Sequence, residues 1–196
     1  TGWMLLVLCM CFPLIASAQN WWELQEKALP LPMARCRKID RDLVLSGKMD
    51  DPLWQQAATV ELTKAASGQP GKKKTTARFL YNDRYLYLGF SCEADYVWST
   101  KTKRDDELWK EEVVELFVSP TGSLHNYYEF EINPLNTQFD QFVLNNRGRN
   151  DDMLTNTRFI LDYNIDGLIT KSFVDGEMNK PGAAKMWTVE MAIPFI

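Results

Sequence analysis

Nine short segments of this 196-residue chain alternate apolar and polar residues or are rich in aromatic and β-branched residues, and none has a long helical period. Alternation with a period of two is typical of strands with one buried face. Asp166-Gly167 and Asp175-Gly176 are typical hairpin turns. The pattern predicts an all-β fold, an antiparallel jelly-roll β-sandwich. The predicted strands are residues 59–63, 76–81, 85–93, 112–120, 127–133, 137–145, 158–163, 167–174 and 186–194, with a short strand at 44–47.

The first eighteen residues differ from the rest. Residues 3–15 are apolar and uncharged, and Ala16-Ser17-Ala18 has the small-x-small form of a signal-peptidase site. We therefore predict a signal peptide at 1–18, with a secreted or periplasmic location and no membrane contact after its removal. A membrane anchor is the alternative, although the run is short for a span.

The predicted mature chain divides into two parts. Residues 19–38 lack periodicity and predict an extended leader, and residues 39–196 form the predicted β-sandwich domain. Asp51 followed by Pro52 predicts a helical turn with an aspartate cap, which Trp54 would pin to the core. Because the sequence stops within or just after a strand, the sandwich is expected to be truncated at its C-terminal edge.

Charge and composition exclude several classes of function. The formal net charge is −4, and the one basic run, residues 72–74, suits a solvated loop tip, so no nucleic-acid partner is expected. One histidine and two cysteines beyond residue 18 cannot build most catalytic triads or zinc sites. Cys36 and Cys92 are a candidate disulfide if the chain is exported, and two buried free thiols are the alternative.

The segment HNYYEFEINP, residues 125–134, shows the alternation most clearly. As a strand, it places Tyr128, Phe130 and Ile132 on one face. Solvent-facing strand positions usually carry Thr, Lys and Arg. The opposite face here carries aromatic rings and carboxylates instead, which predicts an accessible surface of these groups. That polar face collects Tyr127, Glu129, Glu131 and Asn133 and, from strands phased in the same way, Tyr85, Tyr87 and Glu115.

Two tryptophans lie in a highly charged connection, residues 95–111, where they are poor core candidates. Trp98 and Trp109 could instead stack on the C–H face of a sugar ring. Carboxylates, amides and guanidinium groups would pair with the sugar hydroxyls, and Arg104 and Arg147 are the guanidinium candidates. The sequence thus predicts binding of a poly- or oligosaccharide without catalysis.

A set of motifs in order along the chain resembles the family 9-like carbohydrate-binding modules of secreted bacterial proteins, which are related to DOMON-like domains. The resemblance runs from about residue 40 to the end and implies a saccharide-binding jelly roll, often attached to or encoded beside a glycoside hydrolase in polysaccharide degradation. The motifs are GKMDDPLW, RFLYNDRYLYLGFSCE, VWSTKTKRDDELW, EEVVELFVSP, HNYYEFEINPLNTQFD and WTVEMAIPF.

The resemblance also implies roles for particular residues. Founding members clamp a terminal sugar between two tryptophans, for which Trp98 is the first candidate and Trp187 or Trp109 the second. Arg104, Glu129 and Asn133 match polar positions of the family. Structural calcium is implied as well, and since no EF-hand loop is present, the scattered candidates are Glu93, Asp95 and Asp140.

Two other functions compete with binding. A glycoside hydrolase could use Glu129 and Glu131, whose Cα atoms would be roughly 6.5–7 Å apart. However, neighbours on one open sheet face are poorly placed to flank a scissile bond, or to raise one pKa by burial. A haem-binding electron carrier could use His125 with Met153 or Met178 as axial ligands, although no CxxCH motif is present.

Overall fold

The computed structural model describes residues 33–65, 67–122, 126–145 and 157–195, the side chain of Asn145 excepted. The predicted signal peptide and most of the predicted leader lie outside the described residues. Two 3₁₀ helices, Pro52–Gln56 and Leu108–Lys110, accompany the strands. The ten strands are β1 Arg37–Lys38, β2 Thr59–Glu61, β3 Thr75–Tyr81, β4 Tyr85–Glu93, β5 Val114–Val118, β6 Asn126–Ile132, β7 Gln138–Asn145, β8 Thr157–Ile160, β9 Ile169–Gly176 and β10 Ala184–Pro194.

The strands form two sheets. The first has the order β1-β3-β4-β10-β9 with β2 beside β3, and the second is the four-stranded meander β5-β6-β7-β8. All neighbours pair antiparallel except β1 and β3. The predicted all-β jelly-roll sandwich is confirmed, and each of the nine main strand predictions overlaps an observed strand.

The short strand predicted at 44–47 is wrong. No ladder includes this segment, because a side chain takes the place of a strand neighbour. The carboxylate of Glu190 accepts hydrogen bonds from the backbone N–H groups of Ser46, at 2.9 Å, and Gly47, at 2.5 Å.

The main core lies between the sheets and follows the predicted alternation. Phe130 and Ile132 of β6 are 1% and 0% exposed, and they pack with Leu88 and Phe90 of β4. Complete burial of a side chain of this size stabilises the fold by about 2–3 kcal/mol. Val114, Leu116 and Val118 of β5 also face this core, so the predicted inward phase is confirmed.

A second apolar cluster covers the outer face of the first sheet. Trp54, 1% exposed, packs here with Leu80, Tyr87 and Ala192, as predicted for a residue that pins its turn. Asp51 caps this turn by accepting from the Leu53 N–H at 2.9 Å. The Arg41 guanidinium, 2.8 Å away, and two backbone N–H groups hold the pKa of Asp51 well below its ordinary value.

The two cysteines do not form the predicted disulfide. Cys92 faces the core between the sheets, whereas Cys36 is exposed ahead of β1, and both are free thiols. Burial raises the pKa of Cys92 to about 12, which leaves it an unreactive thiol. Within the described part of the chain, no helix has the length and hydropathy needed to cross a membrane.

Candidate functional site

The connection between β4 and β5 lies against the outer face of the second sheet. Leu108, in its 3₁₀ helix, is 0% exposed. The carbonyl of Lys101 accepts from the side chains of Asn133, at 2.8 Å, and Thr137, at 2.7 Å. The Trp109 N–H donates to the carboxyl group of Glu131. The charged connection is therefore a lid on one end of the sheet.

This covering contradicts part of the expected accessible face. Glu131 is 1% exposed and Asn133 is 0% exposed, although the alternation predicted both as solvent-facing. Asn133 holds the turn after β6, because its side-chain oxygen also accepts from the Thr137 N–H at 2.8 Å. Tyr87, on the other sheet, is buried in the same way, at 2% exposed.

Three glutamates come together at the edge of the lid, which covers one of them. We call Glu115, Glu129 and Glu131 the carboxylate cluster. Glu115 of β5 is the register partner of Glu131. Glu129, half-buried, is the register partner of Gln141 in β7 and accepts a hydrogen bond from its amide nitrogen. Three adjacent strands thus place four polar side chains on one face.

Burial and mutual repulsion shift the pKa values of this cluster. Desolvation, the charges of Glu115 and Glu129 and a hydrogen bond with Glu129 raise the pKa of Glu131 to about 8, although the Trp109 backbone N–H opposes the shift. Burial and then the charge of Glu129 raise the pKa of Glu115. Glu131 is therefore protonated at neutral pH. The expectation that an open sheet face cannot raise either carboxyl pKa is wrong, because the lid removes Glu131 from water.

Two buried acceptors of this face lack a hydrogen-bond donor among the described residues. They are Oε2 of Glu131 and Oε1 of Gln141. Both residues are more than nine-tenths buried, at 1% and 6% exposed. Buried polar atoms are normally paired, so this unused acceptor capacity marks the face as a candidate ligand site.

Aromatic rings surround the carboxylate cluster. Trp109 is 48% exposed, and its ring contacts the edge of buried Phe139, with centroids 5.5 Å apart at 77°. Phe117, 55% exposed, contacts Tyr127 in the same manner, with centroids 5.8 Å apart. Exposed rings fixed edge-on by neighbours are suitable stacking surfaces.

The structure places the other predicted tryptophan at the start of the lid. Trp98 is 43% exposed, and its carbonyl accepts from the Glu112 N–H at 3.3 Å. Its role as a sugar platform stays a prediction. Trp187, the alternative clamp residue, is 2% exposed and packs in the main core.

The Arg104 side chain makes its hydrogen bonds within the protein. Its guanidinium group donates to Gln138, to Asn164 and to Asp140, which is 0% exposed. Asp140 also accepts from the Ile165 N–H at 2.7 Å, yet burial keeps its pKa raised. Arg104 thus compensates a buried charge, which is a structural role. Arg147 lies outside the described residues.

The calcium candidates do not form one site. Glu93 accepts from the Lys74 N–H at 3.2 Å, and Asp95 pairs with Lys73 at 2.9 Å. Asp140 belongs to the second sheet and holds Arg104. Over the described ranges, no group of three His, Cys, Asp or Glu side chains is arranged to hold a metal ion. Of the haem candidates, His125 and Met153 are outside these ranges, and Met178 packs against the main core.

A groove of about 530 Å³ opens between the end of β4 and strand β5. Its walls include Phe90, Trp187 and Glu112, and Glu115 connects it to the carboxylate cluster. Neither exposed tryptophan lines it, so we treat it as an extension of the site.

Sequence reasoning missed Gln141 and Phe117 as site residues. Phe117 could have been found from its phase, since it follows Glu115 by two positions on β5. Gln141 could not, because its place beside Glu129 depends on the β6–β7 register.

Fold and site define a two-sheet β-sandwich with a lidded, aromatic and acidic face. A model of the family "Carbohydrate family 9 binding domain-like" matches residues 45–195. The chain belongs to this family.

Individual relatives agree with this assignment. A curated relative named "Extracellular protein", from Arthroderma benhamiae (strain ATCC MYA-4681 / CBS 112371), is 30% identical over 149 residues, which are 74% of this chain. The match spans 64% of that relative, slightly less than two thirds of its length.

One solved structure shares the fold, and a second is similar at a lower score. A protein from Bacteroides uniformis ATCC 8492, whose name proposes carbohydrate binding, superposes with a TM-score of 0.59 at 19% identity, over 81% of this chain and 71% of its own. A family 9 carbohydrate-binding module from Caldicellulosiruptor kristjanssonii, solved in complex with glucose, has a TM-score of 0.49 at 12% identity, over 81% of this chain and 69% of its own.

Proposed function

We propose that this chain binds a saccharide, without catalysis, on the outer face of the second sheet. The observation that carries the proposal is the position of Trp109. Its indole is exposed, its ring is fixed against Phe139, and its backbone N–H holds Glu131 of the carboxylate cluster. A pyranose stacked on this indole would turn its hydroxyl groups toward Glu129 and Glu115. Membership of the family supports the same ligand class.

Isothermal titration against a panel of cello- and xylo-oligosaccharides tests the proposal. We expect Trp109→Ala to weaken the best ligand of the panel about tenfold or more, since loss of an aromatic stacking partner costs roughly 1–3 kcal/mol. Trp98→Ala is the matched variant, because the two indoles are similarly exposed. Full affinity in Trp109→Ala with a loss in Trp98→Ala would move the platform to Trp98.

We further propose that the chain is a secreted module that serves polysaccharide degradation beside a glycoside hydrolase. The predicted signal peptide and the name of the Arthroderma relative support the location. Expression of the full gene in an export-competent host should yield a mature protein that begins near Gln19 by mass spectrometry. Retention of the first eighteen residues would contradict the proposal.

Hydrolysis is a second candidate, and one observation favours it. Glu131 has the raised pKa of a general acid and lies beside a second carboxyl group, Glu129. Both groups come from one strand, however, and the lid covers one of them. Release of reducing sugar that disappears in Glu129→Gln would support catalysis, and its absence over a broad panel would leave binding alone.

A further inference from the structure

The candidate site is rich in acceptors. The donors that the described residues direct into the carboxylate cluster are the amide nitrogen of Gln141, the backbone N–H of Trp109 and the carboxyl proton of Glu131, which bonds to Glu129. Oε2 of Glu131 and Oε1 of Gln141 accept from no described residue, although both residues are more than nine-tenths buried. A ligand group that pairs with either oxygen must therefore donate a hydrogen bond.

Rotating the side-chain amide of Gln141 by half a turn does not give its unpartnered oxygen a donor. Its nitrogen faces the carboxyl group of Glu129, and a rotated amide would direct its oxygen at that group instead. The Oε1 atom is covalently fixed within a few ångströms of Glu129 and points to the same face.

No cation of the described residues balances the cluster. The groups that face Glu131 are Glu115 from β5, Glu129 from its own strand, and Phe139 from β7, while uncharged Gln141 lies beside Glu129. The lid contributes the Trp109 N–H, while its charged neighbours Glu107 and Lys110 pair with each other at 2.6 Å. The electrostatic field at the site therefore favours a positively charged group.

Two observations favour an organic cation over a metal ion. Within the described ranges, no trio of carboxylate, imidazole or thiol groups is arranged as a metal site. The cluster is also bordered by the exposed rings of Trp109 and Phe117, and aromatic faces attract ammonium groups.

We propose that this face selects saccharides that carry a protonated amine, with the ammonium group paired with the half-buried carboxylate of Glu129, beside Glu131 and Gln141. The inference rests on the proposed saccharide binding and adds its substrate class, an amino sugar with a free amine. An ammonium group has three donors, which suits two unpartnered acceptors beside the Glu129 carboxylate.

Binding should displace a proton. In the ligand-free protein Glu131 retains its proton at neutral pH, because burial and two neighbouring carboxylates raise its pKa to about 8. The ammonium group neutralises the same repulsion, so the carboxyl proton passes to the buffer when the ligand binds. A neutral sugar releases no proton.

The experiment compares two trisaccharides that differ only at C2, a β-1,4-linked glucosamine trimer and cellotriose, by isothermal titration at pH 6.5 in low salt. We expect the glucosamine trimer to bind at least tenfold more tightly, a difference of about 1.4 kcal/mol. Titration in buffers of different ionisation enthalpy should detect proton release for the glucosamine trimer alone. The N-acetylated trimer, which has no charge, should lose the preference, and added salt should reduce it.

Glu131→Gln keeps the side-chain shape and removes the ability of this side chain to ionise when the ligand binds. We expect it to reduce the preference to about threefold or less, whereas Glu177→Gln, the same change at an exposed glutamate paired with Lys180, should leave it intact. Equal or tighter binding of cellotriose would overturn this inference and leave saccharide binding standing. Binding of neither trimer, with none from the wider panel, would overturn both.

Discussion

Each sheet buries one glutamate on its outer face, and the two are held differently. Glu190 of β10, 0% exposed, accepts from three N–H groups: the Trp54 indole at 2.7 Å, Ser46 at 2.9 Å and Gly47 at 2.5 Å. Glu131 of β6, 1% exposed, accepts from the Trp109 backbone, and its second oxygen has no donor among the described residues. The segment that covers the first sheet provides donors for both oxygens of Glu190. The segment that covers the second sheet leaves one oxygen of Glu131 without a donor.

The comparison distinguishes a buried carboxylate whose two oxygens both have donors from one that has an unpartnered oxygen. A buried charge that is fully hydrogen-bonded fixes the chain that surrounds it. A buried carboxyl group with repelling neighbours and a free acceptor costs stability, which a protein retains at a functional site. The same substitution at the two positions should therefore act in opposite directions.

Glu190→Gln should have the largest effect. The amide has one acceptor oxygen and directs N–H groups at donors, so at least one of the three buried donors loses its partner. We expect a loss of about 3 kcal/mol in the free energy of unfolding. Urea denaturation at pH 7 with an unchanged m-value measures it, with Glu177→Gln as the neutral control. A change below about 0.5 kcal/mol would show that Glu190 does not fix the covering segment.

Gly47→Ala tests the same contact from the backbone. Gly47 has a φ of +88°, and an added Cβ would lie 2.7 Å from the carbonyl oxygen of Ser172. We expect a loss of about 2–3 kcal/mol from strain and displacement of the loop from Glu190. Gly182→Ala is the matched control, because Gly182 has a φ of +73° in open space. Equal losses in the two variants would show that the loss comes from the positive φ alone and not from the contact with Ser172.

Glu131→Gln should stabilise the protein at high pH. The folded-state pKa of about 8 exceeds the ordinary value of 4.5, so between these values the folded chain holds a proton that the unfolded chain has lost. Stability then falls as pH rises through this range, by at most about 1.4 kcal/mol per pH unit. We expect wild type and variant to be equal near pH 4.5 and the variant to be about 1–2 kcal/mol more stable at pH 6, with the difference growing further up to pH 8. Parallel pH profiles would contradict the shift.

The alternation predicted the strands well because every second side chain of a strand faces the core. This pattern does not depend on what covers the opposite face. Strands β3, β4, β6 and β7 lie within one residue of their predicted bounds. The capped turn at Asp51 and the burial of Trp54 were also predictable, since an Asp-Pro pair and a lone tryptophan have local causes.

The outer faces could not be predicted in the same way. Burial of Glu131 and Asn133 depends on the lid, whose residues 98–111 have no periodicity and reach the sheet through single contacts such as Lys101 with Asn133. The segment that covers Glu190 is equally irregular. Strand phase therefore identified which side chains point away from the main core, and the tertiary contacts decided which of them remain accessible.

Trp109→Ala should have the smallest effect on stability. The indole is half-exposed and mainly contacts Phe139, so we expect a loss of about 1 kcal/mol or less, measured by thermal unfolding. The small loss contrasts with the saccharide affinity expected to fall in the same variant. A loss above about 3 kcal/mol would identify Trp109 as a core residue like Trp54.

The most direct test of the contrast is a pH titration of the side-chain carboxyl carbons by NMR, with and without the glucosamine trimer. We predict that Glu131 titrates near pH 8 in the free protein and at a clearly lower pH in the complex. An ordinary titration of Glu131 that the trimer does not change would contradict the assignment of this face as the ligand site.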